Sequence, residues 1–205
     1  MPPVVPKIDL VFAISAVSST ADDVFEKTKE TITSIIDNYG TNNIHYAMIS
    51  FGNDAISVFQ FGNYTTSQQL KDLVANVRRS SGGPVLDEAL RLAREVFNSA
   101  GARRDAHKVL VVITDKKPTS SLDDVIPEAH MLDDMDVKVI PVGIGGEIFR
   151  KELDEITPNI SDVITISAVD NPEQLGEEFM VKVLKGRNRS LEQIKVFLLV
   201  TFLVC

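Results

Sequence analysis

Cysteine is almost missing from this chain: of 205 residues only the last, Cys205, carries a thiol. An internal disulfide is therefore excluded, and cysteine usage leaves the compartment open. Basic residues are in deficit too, with 21 Lys and Arg against 29 Asp and Glu and a net charge of -8. That surface repels a phosphate backbone, so nucleic acid is not an expected partner. The three histidines, His45, His107 and His130, are scattered and fit no metal-ligand spacing. There is no Gly-x-Ser-x-Gly elbow and no phosphate loop ending in Gly-Lys-Ser or Gly-Lys-Thr. Gly143-Ile144-Gly145-Gly146 lacks a third glycine at the dinucleotide-loop offset and reads as a turn. The expectation is a protein that is not an enzyme and has no organic cofactor.

The ends are equally bare. The start, Met-Pro-Pro-Val-Val-Pro, has neither the basic nor the apolar region of a secretory leader. It fits a cytosolic protein or a mature or partial chain. The apolar run Val196 to Cys205 would rise only about 15 Å as a helix, half a bilayer core. It cannot span alone; it fits a truncated membrane helix, a lipid-anchor signal or the aberrant end of a gene model. Membrane contact is expected only if this tail is an anchor.

What is present is an alternation of apolar runs with helical periodicity, the pattern of a parallel sheet wrapped by helices. Ile8 to Ile14 is almost wholly apolar, as a strand buried on both faces requires. A helix is predicted from Ser19 or Thr20 to Tyr39, with Gly40 ending it. Ile44 to Phe51 and Ile56 to Phe61 read as strands, and the short Gly52-Asn53-Asp54 link makes them an antiparallel hairpin. Further strands are predicted at Lys108 to Thr114, Val137 to Val142 and Val163 to Ser167. Helices are predicted near 66–77, 86–97, 122–135, 149–156 and from Pro172 onward. The fold class is α/β: a Rossmann-like doubly wound sheet of five parallel strands and one antiparallel edge strand, with helices on both faces. One domain is expected over about residues 7–185, followed by a basic and hydrophobic appendage, 186–205.

Five segments, in order, resemble a von Willebrand factor type A domain of the matrilin and type VI collagen kind. They are Asp9-Leu-Val-Phe, Tyr46-Ala-Met-Ile-Ser-Phe51, Ser81-Gly82-Gly83 with Glu88-Ala89-Leu90, Arg104-Asp105 with Lys108 to Asp115, and Val142-Gly-Ile-Gly145. The family's metal-ion-dependent adhesion site uses Asp-x-Ser-x-Ser after the first strand, a Thr in the central loop and an Asp after the fourth strand. By resemblance these positions fall on Ser15, Val17, Ser19, Pro84 and Asp115. Only Ser19 and Asp115 keep the family's residue; Val17 and Pro84 offer no side-chain oxygen. Mg²⁺ wants six oxygens in near-octahedral array, so Ser15, Ser19 and Asp115 would hold Mg²⁺ or Mn²⁺ weakly at best. Lys116 and Lys117 follow directly, and an ammonium near Asp115 would stand in for the cation and repel a real one.

Three glycosylation triplets begin at Asn63, Asn159 and Asn188, all in predicted loops or the appendage. The resemblance implies an extracellular matrix or cell-adhesion protein that binds a protein ligand, collagen or another matrix protein among the candidates, without a bridging cation. Two alternatives carry the same fold: a metal-dependent adhesion domain with a weakened site, and an intracellular scaffold module.

Overall fold

The first apolar run extends one residue further than its sequence pattern, and every position in it is buried. In the computed structural model, which describes residues 6–145 and 150–185, β1 is Ile8–Ser15. It lies at the sheet's centre, parallel to β2 (Ile44–Phe51) on one side and to β4 (His107–Thr114) on the other. The parallel set continues through β5 (Val137–Ile144) to β6 (Ile164–Ile166). β3 (Ala55–Phe59) returns antiparallel to β2, and the order is β3-β2-β1-β4-β5-β6. This is the predicted sheet.

Successive side chains of a strand point to opposite faces, and the core divides accordingly. Leu10, Phe12 and Ile14 join a cluster with α1 (Asp22–Tyr39), α2 (Ser67–Ala75) and α6 (Pro172–Leu184). Val11 and Ala13 join the opposite cluster with α3 (Leu86–Phe97) and α4 (Leu122–Asp134). The short α5 is Arg150–Glu155. Two caps are as the sequence predicts. Thr66 accepts from the Gln69 N–H, and Asn171, ahead of Pro172, accepts from the Glu173 and Gln174 N–H groups.

Some boundaries move for identifiable reasons. α1 begins at Asp22, after an Ala21 that offers no side-chain cap, because the Thr20 hydroxyl is committed elsewhere: it bonds Asp115. β3 ends at Phe59, and Phe61 turns inward onto Phe97, ring centroids 5.9 Å apart. β5 reaches Ile144 because β6 pairs along Val142 to Ile144. The predicted start of α5 at Phe149 and the appendage lie outside the described residues.

At the amino ends of the parallel strands, Asp9 is fully buried against Arg103. His45, beside Asp9 in the register of β1 and β2, is held below the ordinary histidine value by burial first and by the Arg103 charge second, against an opposing pull from Asp9. Its folded state therefore binds fewer protons than the unfolded chain just below the unfolded value of about 6.5. Stability from this group is present above that value and falls as acid charges the unfolded chain first. His45→Gln should remove this slope. The check is urea unfolding of both proteins at about pH 7.5 and about pH 5: the parent should lose more stability on acidification than the variant.

Candidate functional site

In an open α/β sheet the ligand crevice lies beyond the carboxyl ends of the strands. Here β1 and β4 deliver Ser15 and Asp115 to that end, and the loops after β1, α2 and β4 close over it.

Ser15 is the last residue of β1 and is 6% exposed; its hydroxyl is buried without a hydrogen-bond partner among the described residues. Val17 is fully buried and forms a parallel bridge with Ser80 of the α2–α3 loop. Main-chain bonds seal that junction: Ser80 N–H to the Ala16 carbonyl at 2.6 Å and Ser18 N–H to the Ser80 carbonyl at 2.7 Å. Ser19 is exposed, and its hydroxyl bonds to no described residue. Thr20 is buried instead and donates its hydroxyl to Asp115 Oδ1 at 2.8 Å. The structure thus brings Asp115 together with Thr20, which the sequence pattern did not single out, rather than with Ser19. The signal available was a hydroxyl one place beyond the family pattern, where the chain bends from loop into α1.

Asp115 has a side chain only 10% exposed, and the Lys116 ammonium lies 3.9 Å from its Oδ2. Lys117 turns away to Glu152 of α5 at 3.5 Å. Pro84 sits opposite in the α2–α3 loop, and its carbonyl accepts both the N–H (3.0 Å) and the hydroxyl (3.2 Å) of Thr119. Gly83 beside it is required by that packing: a Cβ there would stand 2.1 Å from Thr119 Cγ2. The next residue, Ser120, donates to Asp87 of α3.

A divalent ion does not fit this donor set. Mg²⁺ needs six oxygens at roughly 2.0–2.1 Å. Of the five family positions only Asp115 supplies a carboxylate. One of its oxygens already receives a hydroxyl proton, and the other faces an ammonium. Val17 has no donor atom, and the Pro84 carbonyl is taken by Thr119. Among the described residues, no three His, Cys, Asp or Glu side chains are grouped to hold a metal ion.

The acceptor asparagines differ. Asn63 is exposed in the turn after β3. Asn159 caps a 3-10 turn (Ile160–Asp162), accepting from Ser161 N–H at 3.1 Å while its amide donates to Asp162 at 3.3 Å. Asn188 lies outside the described residues. No described helix is long and apolar enough to cross a membrane.

Comparison with known proteins places this geometry. A model of the von Willebrand factor type A domain matches residues 9–180. The chain is 26% identical over 189 residues to the collagen alpha-4(VI) chain of Mus musculus, covering 91% of this chain and 8% of that one. It is 29% identical over 152 residues to matrilin-1 of Homo sapiens, covering 72% of this chain and 30% of that one. It thus spans a minor part of the length of these relatives. Among solved structures, proximal thread matrix protein 1 from the mussel byssus, with zinc occupying its metal-ion-dependent adhesion motif, superposes with a TM-score of 0.76. The identity is 23%, and the overlap is 87% of this chain and 46% of that one.

Proposed function

The chain belongs to the von Willebrand factor type A family, and from that premise we propose that it is a non-enzymatic protein-binding module of an extracellular matrix or adhesion protein, one whose contacts do not run through a bridging divalent cation. The observation carrying this reading is the state of Asp115: the Thr20 hydroxyl donates to one of its oxygens and the Lys116 ammonium lies 3.9 Å from the other. The ammonium supplies the neutralising charge at no dehydration cost to an ion. Recognition then falls to the shape and polar groups of the crevice and its rim. The relatives support a matrix setting and a protein ligand, with collagen the first partner to assay. The position of Asn63, exposed and free of side-chain bonds, supports its use as the glycan acceptor in a secreted protein, ahead of the engaged Asn159.

The test is binding of the purified chain to immobilised collagen, measured in Mg²⁺ and again in EDTA. The expected affinities agree within about twofold, far less than the loss of a metal-bridged contact. Calorimetric titration with Mg²⁺ and Mn²⁺ should give no saturable heat. Micromolar binding that Asp115→Ala abolishes, or collagen capture that EDTA eliminates, would overturn the reading.

A further inference from the structure

Beside the sealed crevice lies an open cleft of about 570 Å³, between the amino-terminal half of α1 and the segment leaving α2. Its volume lies within the ~300–1,000 Å³ of ligand sites. Its walls are unlike the rest of this acidic chain. Arg79 is fixed: it donates to the Thr20 carbonyl at 2.6 Å, pairs with Asp22 and lies over the Phe25 ring, 5.6 Å from its centroid. Lys29 lies 5.0 Å from the centroid of the same ring, paired with Glu26 at 2.9 Å and donating to the Ala75 carbonyl at 3.3 Å. Each of these cations has its own carboxylate. Arg78 does not: it is exposed on the cleft wall and forms no ion pair or side-chain hydrogen bond with a described residue.

Arg78 shares the cleft wall with that cation-covered ring, and a guanidinium whose five donors meet no described partner can receive a planar anion. The main chain beside Arg78 is anchored by the Val17–Ser80 bridge two residues on, so the backbone of this wall needs little ordering on binding. Long-range charge favours the same spot. The chain as a whole carries -8, so an anionic partner is repelled except where a local cation surplus admits it.

We infer that this cleft is a docking site for an acidic segment of the protein partner, with Arg78 receiving a carboxylate of that segment. The inference rests on the protein-binding reading above and names the partner's chemistry. A sulfated polysaccharide fits less well, because it requires a spread array of basic side chains and this cleft has one unpaired cation.

The experiment uses the full chain and a fluorescein-labelled dodecapeptide rich in glutamate, read by anisotropy, with a glutamine-for-glutamate peptide and a heparin oligosaccharide alongside. The acidic peptide should bind and the glutamine peptide should not. Arg78→Glu should weaken acidic-peptide binding about tenfold or more, the scale of one charge-assisted contact. Arg78→Lys should retain most of it. Amide shifts in the labelled protein should map to Phe25, Lys29 and residues 76–79. Arg78 is exposed and makes no ion pair or side-chain hydrogen bond with a described residue, so the variants should melt with the parent, and a thermal scan checks that they are intact. Equal peptide binding by Arg78→Glu, shifts centred on Lys116 and Lys117, or occupation of the cleft by heparin but not the peptide would overturn the inference. Collagen capture by Arg78→Glu at parental strength would sink this site and leave the protein-binding reading standing; parental capture that EDTA eliminates would sink the cation-free reading instead.

Discussion

Arg103→Ala should lower the melting temperature by roughly 10 °C. Asp9 is fully buried in the central strand, where an unpaired carboxylate is costly. Arg103 offsets that cost with two bonds: its main-chain N–H at 2.6 Å from Oδ2 and its Nε at 2.7 Å from Oδ1. Its Nη2 also donates to the Ile8 and Asn43 carbonyls, at 2.6 and 3.1 Å. One side chain thus ties the α3–β4 loop to the starts of both β1 and β2. Removing it leaves one main-chain donor for a buried charge, and breaking such a pair costs about 3–5 kcal/mol. Replacing both partners by apolar residues, Asp9→Leu with Arg103→Met, should recover part of the loss, because no isolated charge then remains. Arg104→Ala, next along the chain and exposed, should stay near the parent. Thermal melts of these variants test the argument. An Arg103→Ala protein that melts within the error of the parent would refute it.

Rebuilding the ion site should reverse the protein's response to metal. Ser15→Asp, Val17→Ser, Pro84→Thr and Lys116→Gly together restore the family's oxygens and remove the ammonium beside Asp115. Without metal, the new carboxylate at position 15 enters a site that is 6% exposed, at the same end of the sheet as the largely buried Asp115. Two like charges in such a place repel, so in EDTA the fourfold variant should melt below the parent. With excess Mn²⁺, binding to the folded state alone stabilises it by mass action, about 2.7 kcal/mol at a hundredfold excess over the dissociation constant. The variant should therefore regain several degrees on adding Mn²⁺, while the parent moves with neither reagent. If the rebuilt protein melts alike in EDTA and Mn²⁺, then the four positions are not what separates this crevice from a working ion site.

The contrast between these two cases explains what could be read from the amino-acid order. The sheet was legible because burial on both faces forces apolar runs, unbroken from Val109 to Ile113 and broken only by Asp9 between Ile8 and Ile14. The helices were legible from their stripes and from caps such as Asn171-Pro172. The crevice was legible only in its omissions: Val17 and Pro84 visibly lack donor atoms. Its actual contacts were not, because they join residues distant in the chain. Thr20 and Asp115 are 95 positions apart, and the same holds at the opposite end of the sheet, where Asp9 and Arg103 are 94 apart. No local pattern distinguishes Ser19 from Thr20 as the hydroxyl that turns inward, or Arg103 from Arg104 as the residue that enters the core. Those choices are made by the bend into α1 and by the approach of the α3–β4 loop to the sheet.

The seam joining Val17 to Ser80, with the Pro84–Thr119 pair behind it, is made mainly of backbone atoms. A scaffold fastened that way constrains its packed positions, Gly83 among them, and leaves the exposed ones open to change. Descendants of this gene could exchange the crown's exposed residues, acquiring new binding preferences without renegotiating the architecture underneath.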